Sequence, residues 1–279
     1  MSTLRQMRRW GRAIGASLEA LDDKNLFLVA AGCAFYGILS IFPALSAVIA
    51  LWGLVSDAGV VAQEMERFSA LIPDEVYALI RQQVLQLTSA SGQTLGWAGA
   101  VSLGVAIWTA RAGVAALMRG LNAIYGVPNR KGLSHALRAL ALTLALIGVA
   151  LVALAGIVVA PIALAFVPDA LLGGPQTVVL LNTLRWALVI GVLLAGFALI
   201  LRIGPNVTGA GGAWLSPGAL AATLGWTAAS AGFSIYLAQF AQYNEIYGSI
   251  GAVIALLMWL FLSALLVLLG GALNAALRD

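Results

Sequence analysis

Six long apolar segments dominate the pattern of hydrophobic and polar positions along the chain. Crossing the hydrocarbon core of a bilayer takes about 20 mostly apolar residues, or more where the helix is tilted. Every one of the six is long enough, so the pattern predicts an all-α polytopic membrane protein, a bundle of six transmembrane helices. The predicted spans cover residues 26–55, 94–118, 137–166, 177–201, 214–240 and 247–273.

The longest polar stretch, residues 56–93, separates the first two predicted spans. Its apolar positions recur at helical spacing on both sides of Pro73, which predicts two short amphipathic helices in an outer loop. We interpret this loop either as a cover, packed on the bundle or lying in the outer headgroup layer, or as a gate over a cavity. The periodic positions are Val61, Met65, Phe68 and Ile72, then Val76, Ile80, Val84 and Leu87.

Composition excludes a soluble fold. Hydrophobic residues make up 62% of the 279 positions and charged residues 9%, whereas an average soluble domain has about 25% charged residues. The first apolar run is too long for the core of a cleaved signal peptide, so we expect it to be retained as a span. The single cysteine, Cys33, precludes a disulfide within one chain.

Lysine and arginine gather in the N-terminal arm, in the loop after the second span and at the C-terminus. Because such residues are retained on the cytoplasmic side, we expect both termini to be cytoplasmic. Residues 1–25 are predicted to form a basic interfacial arm that meets anionic lipid headgroups, and residues 26–279 a single membrane domain. Membrane insertion alone explains this charge distribution, so we expect no nucleic-acid partner.

Enzyme motifs are missing from the sequence. It contains no HExxH, GxSxG or phosphate-binding GxxxxGK pattern, and its single histidine, His135, has no carboxylate or cysteine close to it in sequence. We therefore expect no catalytic residues, no metal site and no cofactor, and we interpret the chain as not an enzyme.

Polar residues inside predicted spans are the candidate functional residues, because polar groups are costly in hydrocarbon. Tyr36, Ser40 and Pro43 follow at steps of four and three on one face of the first span. Pro43 removes the hydrogen bond to the carbonyl of Leu39 and is expected to bend the helix. Ser40 either satisfies a freed carbonyl or touches a cargo.

Arg111 in the second span has two interpretations. It is either an intramembrane charge or, with Trp108 marking the interface, a headgroup-facing residue on a helical extension. The remaining candidates for a cavity or substrate site lie near helix ends or in the connection between the last two spans. They are Asn122, Arg202, Asn244, Tyr247, Gly248 and Asn274.

Several motifs together resemble a known family. The sequences "AAGCAFYGILSIFP", "ALMRGLNAIYGVP", "IGPN" and "WLSPGALAATLGW" follow one another in this order. They resemble the YihY/BrkB family of bacterial inner-membrane proteins, and the resemblance covers nearly the whole chain. It implies a six-helix inner-membrane protein connected to envelope biology. The family's old label, ribonuclease BN, implies an activity that the residues disfavour.

Two classes of function stay open. The first is a transporter or flippase for an envelope lipid or other amphiphile, and the second is a non-transporting scaffold for envelope biogenesis. An ion-coupled antiporter is disfavoured because no predicted span carries an aspartate or glutamate in its middle. Membrane lipids are the expected partners, and glycine- and alanine-rich helix faces leave a homo-oligomer open.

Overall fold

The described chain is all-helical. The computed structural model describes residues 2–55, 92–154, 175–207, 214–240 and 244–278, and these parts hold seven α-helices and no strand. The prediction of an all-α fold is therefore confirmed. The helices are α1 (Ser2–Asp23), α2 (Leu26–Val55), α3 (Gly92–Ile124), α4 (Gly132–Leu154), α5 (Pro175–Ile203), α6 (Pro217–Phe240) and α7 (Asn244–Ala276).

Helices α2 to α7 each contain a stretch that is long and apolar enough to cross a membrane, which confirms the prediction of six spans within the described residues. The two amphipathic helices predicted for the outer loop lie outside the described residues. The six stretches are Leu26–Val48, Gly96–Ile124, Gly132–Ala153, Val179–Ile203, Pro217–Leu237 and Gly251–Ala276.

Several helix ends differ from the predicted ones by two to six residues, and capping residues set two of them, the end of α3 and the start of α6. Helix α3 continues past residue 118 to Ile124 and stops before Gly126, whose φ of 62° is left-handed. Helix α4 begins at Gly132, five residues before its predicted start. Helix α6 begins at Pro217, after residues 214–216 that the prediction had included.

The chain divides into two compact units, and α2, α3, α6 and α7 contribute to both. Unit 1 comprises Met1–Ala30, Val114–Ala229 and Leu262–Asp279, and unit 2 comprises Ala31–Gly113 and Ser230–Phe261. Within unit 1, Met118 of α3 and Leu142 of α4 are fully buried at the centre of a core completed by Ala115 and Ala139. Small residues thus let α3 and α4 pack closely.

Hydroxyl groups within the helices donate to their own helix backbone. Thr143 Oγ1 donates to the carbonyl of Ala139 at 2.7 Å, and Thr223 Oγ1 to that of Ala219 at 2.8 Å. Both threonines are buried. A hydroxyl in an apolar span is thereby satisfied without a second helix or water.

The backbones of α6 and α7 touch directly at Gly218 and Gly270 in unit 1. A Cβ atom at Gly270 would lie 2.5 Å from the carbonyl oxygen of Gly218, and one at Gly218 would overlap the carbonyl oxygen of Gly270. Backbone atoms cannot rotate away as a side chain does. Glycine is therefore required at both positions for this helix contact.

We expect Gly218→Ala to lower the thermal midpoint of the detergent-solubilised protein by several degrees, because overpacking of this kind costs about 1–3 kcal/mol. The matched control is Gly232→Ala on the same helix, where a Cβ meets nothing within 4 Å. It should leave the midpoint unchanged or raise it slightly, since alanine favours helix more than glycine does. Equal midpoints for the two variants would contradict the close contact.

Candidate functional site

The last turn of α3 contains a buried asparagine, Asn122, which is 1% exposed. The turn closes with Gly126 N–H donating to the carbonyl of Ala123 at 3.2 Å and Val127 N–H to that of Asn122 at 3.0 Å. Because Gly126 adopts a left-handed φ, the chain can leave the helix here without strain. Asn122 thus stands where α3 turns into the loop that leads to α4.

The side chain of Asn122 joins two loops of unit 1. Its Nδ2 donates to Oδ1 of Asn129 at 2.8 Å, and its Oδ1 accepts from the backbone N–H of Asn206 at 2.6 Å. Asn129 lies between α3 and α4, whereas Asn206 follows α5. Both ends of one carboxamide are therefore used on protein groups, which satisfies them in a buried position.

Further hydrogen bonds connect the same two loops. Asn206 Nδ2 donates to the carbonyl of Pro128 at 3.1 Å. The guanidinium of Arg130 donates to the carbonyls of Gly204 and Pro205, at 3.4 and 3.2 Å. We call this set the loop clasp: the side chains of Asn122, Asn129, Arg130 and Asn206 with the backbone of residues 128 and 204–206.

Arg130 brings a positive charge to the loop clasp. Burial, and next the nearby Arg138, lower the pKa of Arg130 from its usual value, yet an arginine side chain still carries its charge at neutral pH. Its bonds to the two carbonyls are therefore charge-assisted. Beside the clasp, burial raises the pKa of Tyr125, against an opposing effect of Arg278, whose guanidinium lies 5.8 Å from the ring centroid.

A second amide holds the start of α6 against the end of α7. Asn274 Oδ1 accepts from Gly218 N–H at 2.7 Å, and its Nδ2 donates to Ser216 Oγ at 2.9 Å. Ser216 Oγ also accepts from Ala219 N–H at 3.2 Å, the usual bond of a helix N-cap. With Pro217 lacking an N–H, the first backbone donors of α6 are satisfied. We call this set, Ser216, Gly218, Ala219 and Asn274, the cap clasp.

Arg202 belongs to neither clasp. It lies exposed in the last turn of α5, and its guanidinium carbon stacks 4.6 Å from the ring centroid of Trp214. A cation at this position suits the negative end of the helix dipole. The described contact of Arg202 is thus an arginine–tryptophan stack at a helix end.

In unit 2, the predicted stripe on α2 is half-buried. Ser40 Oγ donates to the carbonyl of Gly37 at 2.7 Å and not to that of Leu39, the group that Pro43 leaves without its usual partner. The suggested repair of the proline site by Ser40 is therefore not the contact observed. Helix α2 continues through Pro43 to its end at Val55.

Helices α2 and α3 approach closely in unit 2 at Gly113. Cys33 Sγ lies 3.5 Å from the carbonyl oxygen of Gly113. A Cβ added at Gly113 would lie 3.4 Å from Cβ of Tyr36, so the tyrosine packs onto the bare backbone of α3. Tyr36 thus lies within van der Waals contact of α3 at Gly113.

Arg111 lies two residues before Gly113 in the apolar stretch of α3. It stands roughly 20 Å from either end of that stretch, at 1.5 Å per residue. Its guanidinium carbon lies 4.4 Å from the ring centroid of Trp108. Its Nε is buried and has no hydrogen-bond partner among the described residues. Neither interpretation of Arg111, intramembrane or interfacial, is decided by these contacts.

The other candidates stay predictions. Asn244, Tyr247 and Gly248 lie in the first turns of α7, and the side chains of Asn244 and Tyr247 lie outside the described residues. Where the structure is described, no group of three or more histidine, cysteine, aspartate or glutamate side chains is placed to hold a metal ion.

Four clasp residues were not singled out from the sequence: Asn129, Arg130, Asn206 and Ser216. The turn sequences "GVPNR", "GPN" and "LSPG" carry a signal for them. Asparagine beside proline or glycine marks a turn, and serine before proline marks a helix start. The first two turns contact each other in the folded chain, and no local sequence signal predicts that contact.

Comparison with known proteins identifies the family of this chain. The family described as virulence factor BrkB matches residues 17–279. The chain belongs to the BrkB family. The resemblance found in its motifs is thereby confirmed, and it covers both clasps and Arg111.

Relatives of this BrkB-family chain include the putative ribonuclease-like protein YfkH of Bacillus subtilis. It is 32% identical over 255 residues, which cover 88% of this chain and 87% of the relative. A UPF0761 membrane protein of Pseudoalteromonas translucida is 33% identical over 87 residues, covering 31% of this chain and 29% of the relative. No solved structure matches the chain.

We expect Asn122→Ala to destabilise the protein strongly, because it removes two hydrogen bonds and leaves partly buried partners without one. The expected cost is about 2–3 kcal/mol, measured as a lower thermal midpoint in detergent. Trypsin should also cut faster after Arg130 and Lys131.

The matched control for this prediction is Asn206→Ala. It keeps the backbone N–H that Asn122 binds and removes only the exposed bond to Pro128. We expect a loss below about 1 kcal/mol. If both variants melt together and are cut at the same rate, Asn122 does not hold the loops.

Proposed function

We propose that this BrkB-family protein moves an amphiphile with an anionic headgroup across the bacterial inner membrane, as a transporter or flippase for an envelope lipid. The observation that carries the proposal is Arg111, a partly buried cation in an apolar stretch with an Nε that has no described hydrogen-bond partner. Such a group in a membrane protein marks a functional site by default.

The chain itself offers Arg111 no counter-charge within the spans. None of the six apolar stretches contains an aspartate or a glutamate. An isolated charge is costly in hydrocarbon, and a guanidinium does not lose its proton to escape that cost. A phosphate or carboxylate on a lipid-like cargo would supply the missing negative charge.

The geometry around Arg111 suits an oxyanion. Trp108 lies over one face of the guanidinium, and Nε, on its planar edge, is buried and has no described acceptor. Such an edge binds phosphate or carboxylate through two parallel hydrogen bonds. On the neighbouring helix, Tyr36 packs against Gly113, two residues further along α3.

The arrangement of the chain ends supports the predicted topology. Six crossings leave both termini on one side of the membrane, and Arg9 Nη2 donates to the carbonyl of Leu277 at 2.5 Å, so the two termini lie together. With lysine and arginine concentrated in the terminal arm and the α3–α4 loop, that side is the cytoplasm under the positive-inside rule.

Energy for transport would come from an ion gradient or from the gradient of the cargo, because the sequence has no phosphate-binding GxxxxGK motif. The proposal assigns no enzymatic step to the chain. Metal-dependent cleavage of RNA by the purified protein, abolished by a point mutation in this chain, would contradict that part of it.

We expect the protein, reconstituted in liposomes, to accelerate flipping of a fluorescent phosphatidylglycerol more than of a fluorescent phosphatidylcholine. Dithionite quenching of the outer leaflet measures the rate. Arg111→Gln should reduce the rate at least about tenfold, since one charge-assisted contact is worth about 1.5–3 kcal/mol, a factor of about 10–150. Arg111→Lys should retain part of it, and Tyr36→Phe and Ser40→Ala test the adjoining stripe.

The matched control is Arg185→Gln. Arg185 also lies in an apolar stretch and stacks on a tryptophan, Trp186, at 5.5 Å, but it stands only about 9 Å from the start of that stretch, at 1.5 Å per residue. Its replacement should leave flipping unchanged. No acceleration by the wild-type protein in any lipid would contradict transport, and capture of envelope-synthesis proteins by the same preparation would then favour the scaffold.

A further inference from the structure

Helix α1 is amphipathic, and only one edge of its apolar face is covered by protein. Ala13 and Ser17 are 3% and 5% exposed, and Ser17 Oγ donates to the carbonyl of Ala13 at 2.6 Å. The adjoining edge is open: Trp10, Ile14 and Leu18 are 39%, 52% and 56% exposed. These three recur every four residues and form one stripe, which we call the open edge.

We infer that the open edge of α1 inserts into the leaflet next to the chain termini, and that its partner is an anionic lipid surface. The inference does not depend on transport. It specifies which edge of the predicted interfacial arm meets lipid and which edge is held by the protein.

The first argument is continuity with a membrane-spanning surface. Only two residues separate α1 from α2, and the first turn of α2 presents Phe27 and Leu28, 44% and 74% exposed. Side chains of this kind at the start of an apolar span face lipid in a bilayer. The open edge extends that surface from the span onto α1.

The second argument is charge. Arg8, Arg9 and Arg12 are exposed in the first half of α1, whereas the acidic residues of the helix come in its second half. The first turn has no acidic residue and the last turn no basic residue. Arginines on the polar face and tryptophan and leucine on the apolar face are typical of a helix that lies in a membrane interface. Anionic headgroups would attract these arginines.

The third argument is the attachment of α1 to the rest of unit 1. Arg9 donates to the carbonyl of Leu277, just beyond the end of α7, and the Ala13–Ser17 edge is buried. The helix is thus held beside the last residues of a span. Its orientation fixes the open edge on one side and places the exposed Glu19 on the far face.

Fluorescence quenching in the full-length protein tests the inference. In a Cys33→Ala background, Ile14→Cys and the matched control Glu19→Cys are each labelled with an NBD probe and reconstituted in liposomes with or without phosphatidylglycerol. Spin-labelled lipids quench probes in the leaflet, and iodide quenches probes in water. We expect lipid quenching at position 14 to be about threefold that at position 19, with the reverse order for iodide.

Anionic lipid and low salt should increase the quenching at position 14. Arg8→Gln combined with Arg12→Gln should remove this dependence, while Arg9 and its bond to Leu277 stay intact. Equal lipid quenching at positions 14 and 19 would overturn the inference. Protection of position 14 from both quenchers would show that protein, such as a second copy, covers the edge. If lipid quenching at position 14 changes neither with anionic lipid nor with the arginine substitutions, the partner is not an anionic lipid surface.

Discussion

Polar groups within hydrocarbon must find partners inside the protein, and this constraint governs the described structure. Buried threonines donate to their own helix backbone, as Thr143 does to Ala139. Tryptophan N–H groups find serines: Trp226 Nε1 donates to Ser263 Oγ at 2.9 Å within unit 1, and Trp259 Nε1 to Ser230 Oγ at 3.3 Å within unit 2. Irregular backbone is held by the two amide clasps at helix ends.

The same constraint separates two kinds of polar residue that look alike in the sequence. Asn122 and Asn274 use both ends of their carboxamides on protein groups, so their described contacts hold loops and cap a helix. Arg111 has a buried Nε for which the described chain supplies no acceptor. We therefore place the proposed cargo contact at Arg111, while contact of either asparagine with a cargo stays a prediction.

A feature of this structure was predictable from sequence where it depends on residues close together along the chain, and not where it depends on residues far apart. The spans were predictable because bilayer thickness imposes a length on every apolar segment. The end of α3 and the start of α6 were not predictable from apolar content. Gly126 and Ser216–Pro217 set them through capping geometry, which a hydrophobicity pattern does not reveal. The loop clasp joins Asn122 to Asn206, 84 positions apart, and no local pattern encodes that meeting. Ser40 had several carbonyls in reach, and only the structure shows that Gly37 accepts its bond.

The central claim is that Arg111 binds an anionic headgroup. Native mass spectrometry tests it most directly, with the protein released from membranes that contain phosphatidylglycerol. The account predicts that the wild-type protein and Arg185→Gln retain an anionic phospholipid that Arg111→Gln loses, while phosphatidylcholine is retained equally by all three. The same number of anionic lipids on all three proteins would contradict it.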